Sequence, residues 1–246
     1  MSIEKRLTIV ARYNEDISWT EKLPGDVVIY NKGGDFPYEI PRLDISNVGR
    51  EAETYIHAIV DLYDELNNFD TICFLQGNPL DHCPDLFEIL SKHYFLYFHE
   101  NKLKFEPIIF LSHKSFQIEC PKESFIFNSH SNIVDLYWEK IDKKSYQHIT
   151  EQKISFQMEN VKFDMYDMIY FLEIIKIPYK DKKIPWAYGA QYLVETKLIL
   201  AKSKQWWIEF FNFAHYTLDV LESKRFPYIM ERLWPTIFYY GYKNDR

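Results

Sequence analysis

Apolar and polar positions fall into three regimes along the chain. Residues 7–11 and 71–75 are short, nearly continuous apolar runs that stop in polar, turn-forming segments. That pattern predicts strands covered on both faces. Residues 27–30 repeat it, and 42–45 predict a further strand fragment. Between residues 49 and 66, Ala52, Tyr55, Ile56, Ile59, Leu62, Tyr63 and Leu66 recur at helical spacing. Glu53, His57, Asp61 and Asp64 take the other face of that helix, and Ser46 or Asn47 is its expected N-cap by residue type. The order strand, loop, strand, loop, helix, strand predicts an open α/β fold with a mostly parallel central sheet flanked by helices. Its ligand-binding loops are expected after the strand ends.

The middle of the chain is less regular. Residues 86–97 predict a helix and 105–111 a strand, whereas 121–160 mix Lys, Ser, Asn and aromatics without a clear period. Order returns at 184–194, a loop leading into a strand. Residues 202–221 predict a helix with an aromatic face (Trp206, Trp207, Phe210, Phe211, Phe213), and 228–238 a helix that Pro235 is expected to kink or end. The chain is therefore read as a single domain over 1–246. Residues 1–83 are expected to form one half of that domain, 84–180 a variable insertion, and 181–246 a further segment with C-terminal helices.

Composition narrows the function. The 246 residues are 47% hydrophobic and 18% aromatic, enough for a substantial core. A net charge of −7 with no dominant Lys/Arg cluster argues against a nucleic-acid binder. Cys73, Cys83 and Cys120 make neither a disulfide framework nor a zinc knuckle. No signal-peptide core and no apolar stretch of membrane-spanning length is present, so a cytoplasmic protein without a transmembrane segment is expected. The aromatic helix lacks the basic residues of a surface-lying membrane helix, which favours core or oligomer packing.

Several polar clusters carry candidate chemistry. Arg12, Tyr13, Asn14, Glu15 and Asp16 crowd the loop after the first strand. Two carboxylates beside an arginine suit a ribose or sugar hydroxyl; the alternative is a solvated turn with Asp16 as a cap. Lys32, before Gly33-Gly34, either neutralises a phosphate or is an exposed turn lysine. Gly49-Arg50 at a helix start can hold a diphosphate through backbone N–H groups and guanidinium, or Arg50 pairs with Asp44 or Glu53. Gln76, Gly77 and Asn78, followed by Asp81 and His82, sit beyond the central strand. Glu231 beside Arg232 is a candidate general base or a structural ion pair; Asp16 and Glu51 are rival bases. Trp186 and Tyr188 could stack a sugar ring or serve the core. Cysteine nucleophiles are set aside, since His82 and Cys83 are neighbours on an extended segment and point apart.

In this order the segments Val10–Asp16, Tyr30–Gly33, Asn47–Glu51 with Thr54-Tyr55, Phe74–Pro79 with Asp81-His82, Tyr188–Tyr192 and Glu231–Trp234 resemble the family named domain of unknown function 3431. The likeness covers the first third and last quarter of the chain. More loosely, the layout resembles nucleotide-sugar glycosyltransferases of the GT-A fold. That resemblance implies a nucleotide near Arg12–Asp16, a diphosphate near Gly49–Glu51 and Lys32, a metal-holding Asp-x-Asp at the end of the central strand, and an acceptor near Trp186, Tyr188 and Gln191. Gln76-Gly77-Asn78 stands where Asp-x-Asp is expected, and its neutral oxygens are weaker partners for Mg²⁺ or Mn²⁺. Asp81 and His82 are then the candidate metal ligands, with a metal-independent site built on Arg50 and Lys32 as the alternative. The implied activity is transfer of a sugar from a nucleotide-diphosphate donor to a glycan or other hydroxyl. The rival readings are a non-catalytic nucleotide or carbohydrate binder and a metal-dependent hydrolase.

Overall fold

The computed structural model describes residues 4–91, 108–112, 115–119, 168, 171–173, 175–178, 183–187, 189–220 and 222–242. The chain divides into two compact units, Met1–Ile118 with Ile184–Arg246, and Glu119–Lys183. The first unit carries the six-stranded sheet and every described candidate site residue.

Its strands are β1 (Arg6–Arg12), β2 (Asp26–Asn31), β3 (Arg42–Asp44), β4 (Thr71–Gln76), β5 (Ile108–Phe110) and β8 (Tyr192–Glu195). They form one six-stranded sheet in the order β3-β2-β1-β4-β8-β5. β1 pairs in parallel with both β2 and β4, and β2 with β3, whereas β8 runs antiparallel to β4 and β5. The sheet is thus mostly parallel, as the unbroken apolar runs predict. β6 (Ser115–Glu119) and β7 (Lys183–Ala187) make a separate two-stranded sheet, so the 184–194 stretch holds parts of two strands where one was expected.

Helices α1 (Arg50–Leu62), α4 (Lys204–Val220) and α5 (Glu222–Tyr239) lie on one face; α2 (Leu86–Ser91) contributes to the other, and α3 (Thr196–Leu200) follows β8. Strand alternation sorts the two cores. Val10, Ile29, Cys73, Leu75, Ile109 and Leu193 meet Ile17, Cys83, Leu86 and Leu90. On the opposite face Phe74 stacks on Trp234 and Phe238 with centroids 6.5 and 5.5 Å away, and Tyr55 lies 5.0 Å from Phe74. Burying one such ring contributes roughly 1.5–3 kcal/mol. On α4, which packs against α1 and α5, Trp207 and Phe210 are buried with ring centroids 6.1 Å apart.

Two local expectations change. The N-cap of α1 is Gly49, left-handed with φ 60°, and no side chain caps it; neither Ser46 nor Asn47 does so. Pro235 does not end α5, which runs on to Tyr239 with Pro227 and Pro235 inside it. Proline removes an N–H, which frees the carbonyl four residues earlier. That carbonyl belongs to Glu231, and it accepts the Tyr192 hydroxyl at 2.7 Å. The missing helical bond is replaced by one that ties α5 to β8.

Candidate functional site

Register places the carboxyl ends of the parallel strands along one edge, since Arg12 pairs with Asn31, Asn31 with Asp44, and Ala11 with Gln76. The chain leaves β1 toward β2 on one side and returns as β4 on the other. Such a divergence opens a crevice at that edge. β8 starts at the same edge, because Tyr192 lies opposite Phe74.

The loop after β1 is built around Arg12. Its guanidinium donates to Asn31 Oδ1 at 2.6 Å and to the carbonyls of Tyr13, Glu15 and Asp35 at 3.2, 3.0 and 2.9 Å, beneath the rings of Phe36 and Tyr38. Arg12 is buried and holds the β1 and β2 loops together. Asn14 Oδ1 accepts the Gly34 N–H, and Glu15 Oε2 accepts the Tyr13 N–H at 2.6 Å. Tyr13 itself is half exposed at the rim. Asp16 accepts the Ser18 N–H and the Tyr38 hydroxyl, and these bonds hold its carboxyl below the usual range. Ile17 takes the N-cap position of the following 3-10 turn, which no side chain caps.

The end of β4 closes on this loop. Gly77 lies so close to Glu15 that a Cβ there would stand 2.5 Å from Oε2, and its carbonyl accepts the Trp19 indole N–H at 3.0 Å. Asn78 Nδ2 donates to Asp81 Oδ2 at 2.7 Å. His82 packs its ring against Gly189. Two carboxamides and one carboxylate are a poor donor set for a hard divalent ion, which prefers several carboxylates. Among the described residues no group of three or more His, Cys, Asp or Glu could hold a metal ion.

At the start of α1, Arg50 as well as Gly49 is left-handed, with φ 51°. For a residue with a Cβ that conformation costs about 1–2 kcal/mol. Lys32 sits beneath it: its ammonium donates to the carbonyls of Val48 and of Arg50 (2.7 Å) and to Glu53 Oε2 (2.7 Å). The side chain is 4% exposed, so Lys32 is a buried tie and not a surface turn residue. Burial lowers its pKa while Glu53 opposes that shift. Glu53, assigned by pattern to the outer face, is buried and shared by Lys32, His57 and His215. Arg50 pairs with neither Asp44 nor Glu53. Its exposed side chain lies 3.7 Å from Glu51 and over the Tyr228 ring.

The three rival bases separate. Asp16 is at the β1 loop, whereas Glu51 and Glu231 interact across α1 and α5. Burial, then the Glu231 charge, push the Glu51 carboxyl up against the opposing pull of Arg50. Glu231 Oε1 accepts the Gly189 N–H at 2.8 Å, and Oε2 the Arg232 guanidinium at 3.2 Å. Gln191 is buried and donates to the Pro79 carbonyl at 3.2 Å. Trp186 falls on β7 but its side chain, like all of Tyr188, lies outside the described residues. Burial raises the Cys73 and Cys83 thiols to about 12 and about 11, far from a reactive thiolate.

Sequence reasoning missed Tyr55, Tyr192 and Trp234 beside the carboxylate pair. Tyr55 stands four residues after Glu51, and Trp234 three after Glu231, spacings that bring side chains to one helix face. Among the described residues no helix is long and apolar enough to cross a membrane. No curated protein and no solved structure matches the chain. The family profile of DUF3431, described as a protein of unknown function, matches residues 7–244, and the chain belongs to that family.

Proposed function

We propose that the protein is a GT-A-like glycosyltransferase that moves a sugar from a nucleoside-diphosphate donor to a hydroxyl acceptor. The observation that carries this reading is the start of α1. Its first N–H groups are uncapped by any side chain, its backbone is held left-handed through Gly49-Arg50, and Lys32, just beyond the carboxyl end of β2, ties it to that edge of the sheet. Helix N-termini of this kind attract diphosphates, and strained backbone concentrates at ligand sites. The exposed Arg50 guanidinium supplies the charge that a leaving diphosphate needs. Tyr13, Asn14 and Glu15 would contact the nucleoside, with Gln76, Gly77 and Asn78 flanking the phosphates. Glu231 is the base that takes the acceptor proton, in preference to Asp16, whose hydrogen bonds keep it acidic. Lys32 acts by shaping the α1 terminus, and no step is routed through a metal.

A second reading, a nucleotide-binding protein without turnover, is favoured by Gln76-Gly77-Asn78 standing in place of paired carboxylates. Thermal unfolding against nucleoside diphosphates and nucleotide sugars, with and without Mn²⁺, tests the donor site, because a ligand of the folded state raises Tm. Arg50→Ala should weaken that binding by about 1.5–3 kcal/mol, roughly 10–150-fold. An unchanged affinity would remove Arg50 from the site. Transfer or no transfer to a saccharide panel then separates the two readings.

A further inference from the structure

His57 stands on α1 between two carboxylates of its own helix. Nδ1 lies 3.3 Å from Glu53 Oε1, and Nε2 lies 3.5 Å from Asp61 Oδ2, one turn away on either side. Carboxylates only accept, and a neutral imidazole carries a single N–H. In the neutral ring one nitrogen lone pair therefore faces a carboxylate oxygen. The imidazolium, with an N–H on each nitrogen, is the form that suits both neighbours. Charge balance points the same way. The described charged and titratable groups that meet there are Glu53, Asp61, the Lys32 ammonium beyond β2, the Tyr30 hydroxyl of β2, which donates to Asp61, and His215 of α4. Two carboxylates and one ammonium leave one negative charge over, and a single proton on His57 removes it.

The same ring touches α4. The Phe211 centroid lies 5.1 Å from that of His57 and 4.4 Å from that of His215, whose Nε2 is 3.1 Å from Glu53 Oε1. An aromatic ring attracts a cation within about 6 Å, so a proton on His57 adds to the contact between the helices. We propose that His57 is a proton-operated clasp between α1 and α4, closed as the imidazolium and loosened when the proton leaves. The device is independent of the transferase reading. Its side chain is 28% exposed, so the proton exchanges with solvent. Glu53, against burial and with help from Asp61, raises the His57 pKa above 6.5. The clasp is therefore closed below pH 6.5 and opens as pH rises through the folded value. His215 keeps its bond to Glu53 in both states, so α4 loosens at Phe211 without detaching.

The test is a double-mutant cycle on the full chain, with His57→Gln, Phe211→Leu and both together, read by urea unfolding at about pH 5 and about pH 8. Phe211→Leu keeps an apolar side chain and removes the ring. The coupling between the two positions should be larger in acid, by about 2–5-fold in the unfolding constant. Equal coupling at both pH values would make the contact ordinary apolar packing and overturn the proposal. A second variant tests the carboxylate sandwich. Asp61 is a third exposed, and in Asp61→Asn the amide both donates and accepts, so a neutral His57 fits. This variant should lose less stability between the two pH values than the wild type. A fall as steep as that of the wild type would overturn the proposal as well.

Discussion

Gly189 packs against the His82 ring and donates its N–H to Glu231, and Gly189→Ala tests how tightly that packing is held. Its φ of +89° is a region that a side chain disfavours, at about 1–2 kcal/mol. A Cβ there would stand 2.6 Å from His82 Cδ2, 2.7 Å from Cγ and 2.9 Å from Cβ. Contact with His82 Cβ means that ring rotation alone gives no relief, and overpacking of this sort costs about 1–3 kcal/mol. Displacing the backbone also lengthens the 2.8 Å bond from the Gly189 N–H to Glu231, worth about 1 kcal/mol. The sum is roughly 3–6 kcal/mol. Gly77→Ala is the control. Its Cβ would meet Glu15 at 2.5 Å from Oε2 and 3.0 Å from Cβ, but with no positive φ. Glu15 can swing away at the loss of its bond to the Tyr13 N–H, so about 1–2 kcal/mol is expected. Urea unfolding of both variants gives the two values. If Gly189→Ala is destabilised no more than Gly77→Ala, the close packing of His82 on Gly189 is not a constraint and the argument fails.

Three further outcomes follow from the same geometry. Lys202 is buried, and its ammonium donates to the carbonyls of Leu198, Phe238 and Tyr240 at 2.8–2.9 Å; burial brings its pKa down to about 7. Lys202→Met leaves those carbonyls unmet and should lower stability by about 2–4 kcal/mol in denaturant unfolding, with a loss under ~1 kcal/mol showing that water replaces the amine. Tyr192→Phe strips the Glu231 carbonyl of the hydroxyl that replaces the Pro235 N–H, so it should cost about 1–3 kcal/mol in wild type, and much less in a Pro235→Ala background if the helical bond re-forms. The Glu53 carboxylate, 3.3 Å from Nδ1, raises the His57 pKa above 6.5, against burial. That stabilisation is fully present below pH 6.5 and lost as pH rises through the folded value, so the wild type should lose stability across that range more steeply than His57→Gln, and parallel pH profiles would refute the link.

The strands and α1 were legible in the sequence because each buries a continuous or periodic apolar face, and burial is what those patterns encode. The predicted 7–11, 27–30 and 71–75 became Arg6–Arg12, Asp26–Asn31 and Thr71–Gln76. The failures share a cause. Ser46 and Asn47 are good caps by type, yet Lys32, distant in sequence, holds the Val48 and Arg50 carbonyls and makes Gly49 the boundary. Pro235 is a helix breaker by type, yet Tyr192 satisfies the carbonyl it frees. Glu53 reads as a surface residue by periodicity, yet three basic side chains from β2's end, α1 and α4 converge on it. In each case a polar side chain far along the chain overrides a local rule. Single-sequence pattern carries no signal for such pairs. The Glu51–Glu231 pairing is the same: each residue was a candidate, but only the sheet brings α1 and α5 together.

These polar overrides are not scattered. Lys32 fixes the start of α1, Glu53 locks α1 to α4 through His215, Tyr192 fixes α5 to β8, and Gly189 fixes Glu231. Each constrains an element that lines the carboxyl edge of the sheet or the carboxylate pair beside it. A domain stabilised mainly by its apolar cores has no need of left-handed Arg50 or of two buried donors left unpaired at Tyr55 and Trp234. Such features lower stability, and they persist where the surrounding structure over-determines them. The buried Lys32–Glu53 pair does so for Arg50, and the stack of Phe74, Trp234 and Phe238 does so for α5. Left-handed Arg50 stands at the proposed donor site, with the Lys32–Glu53 pair one layer further in. Rigid support of this kind is what the proposed donor site would need.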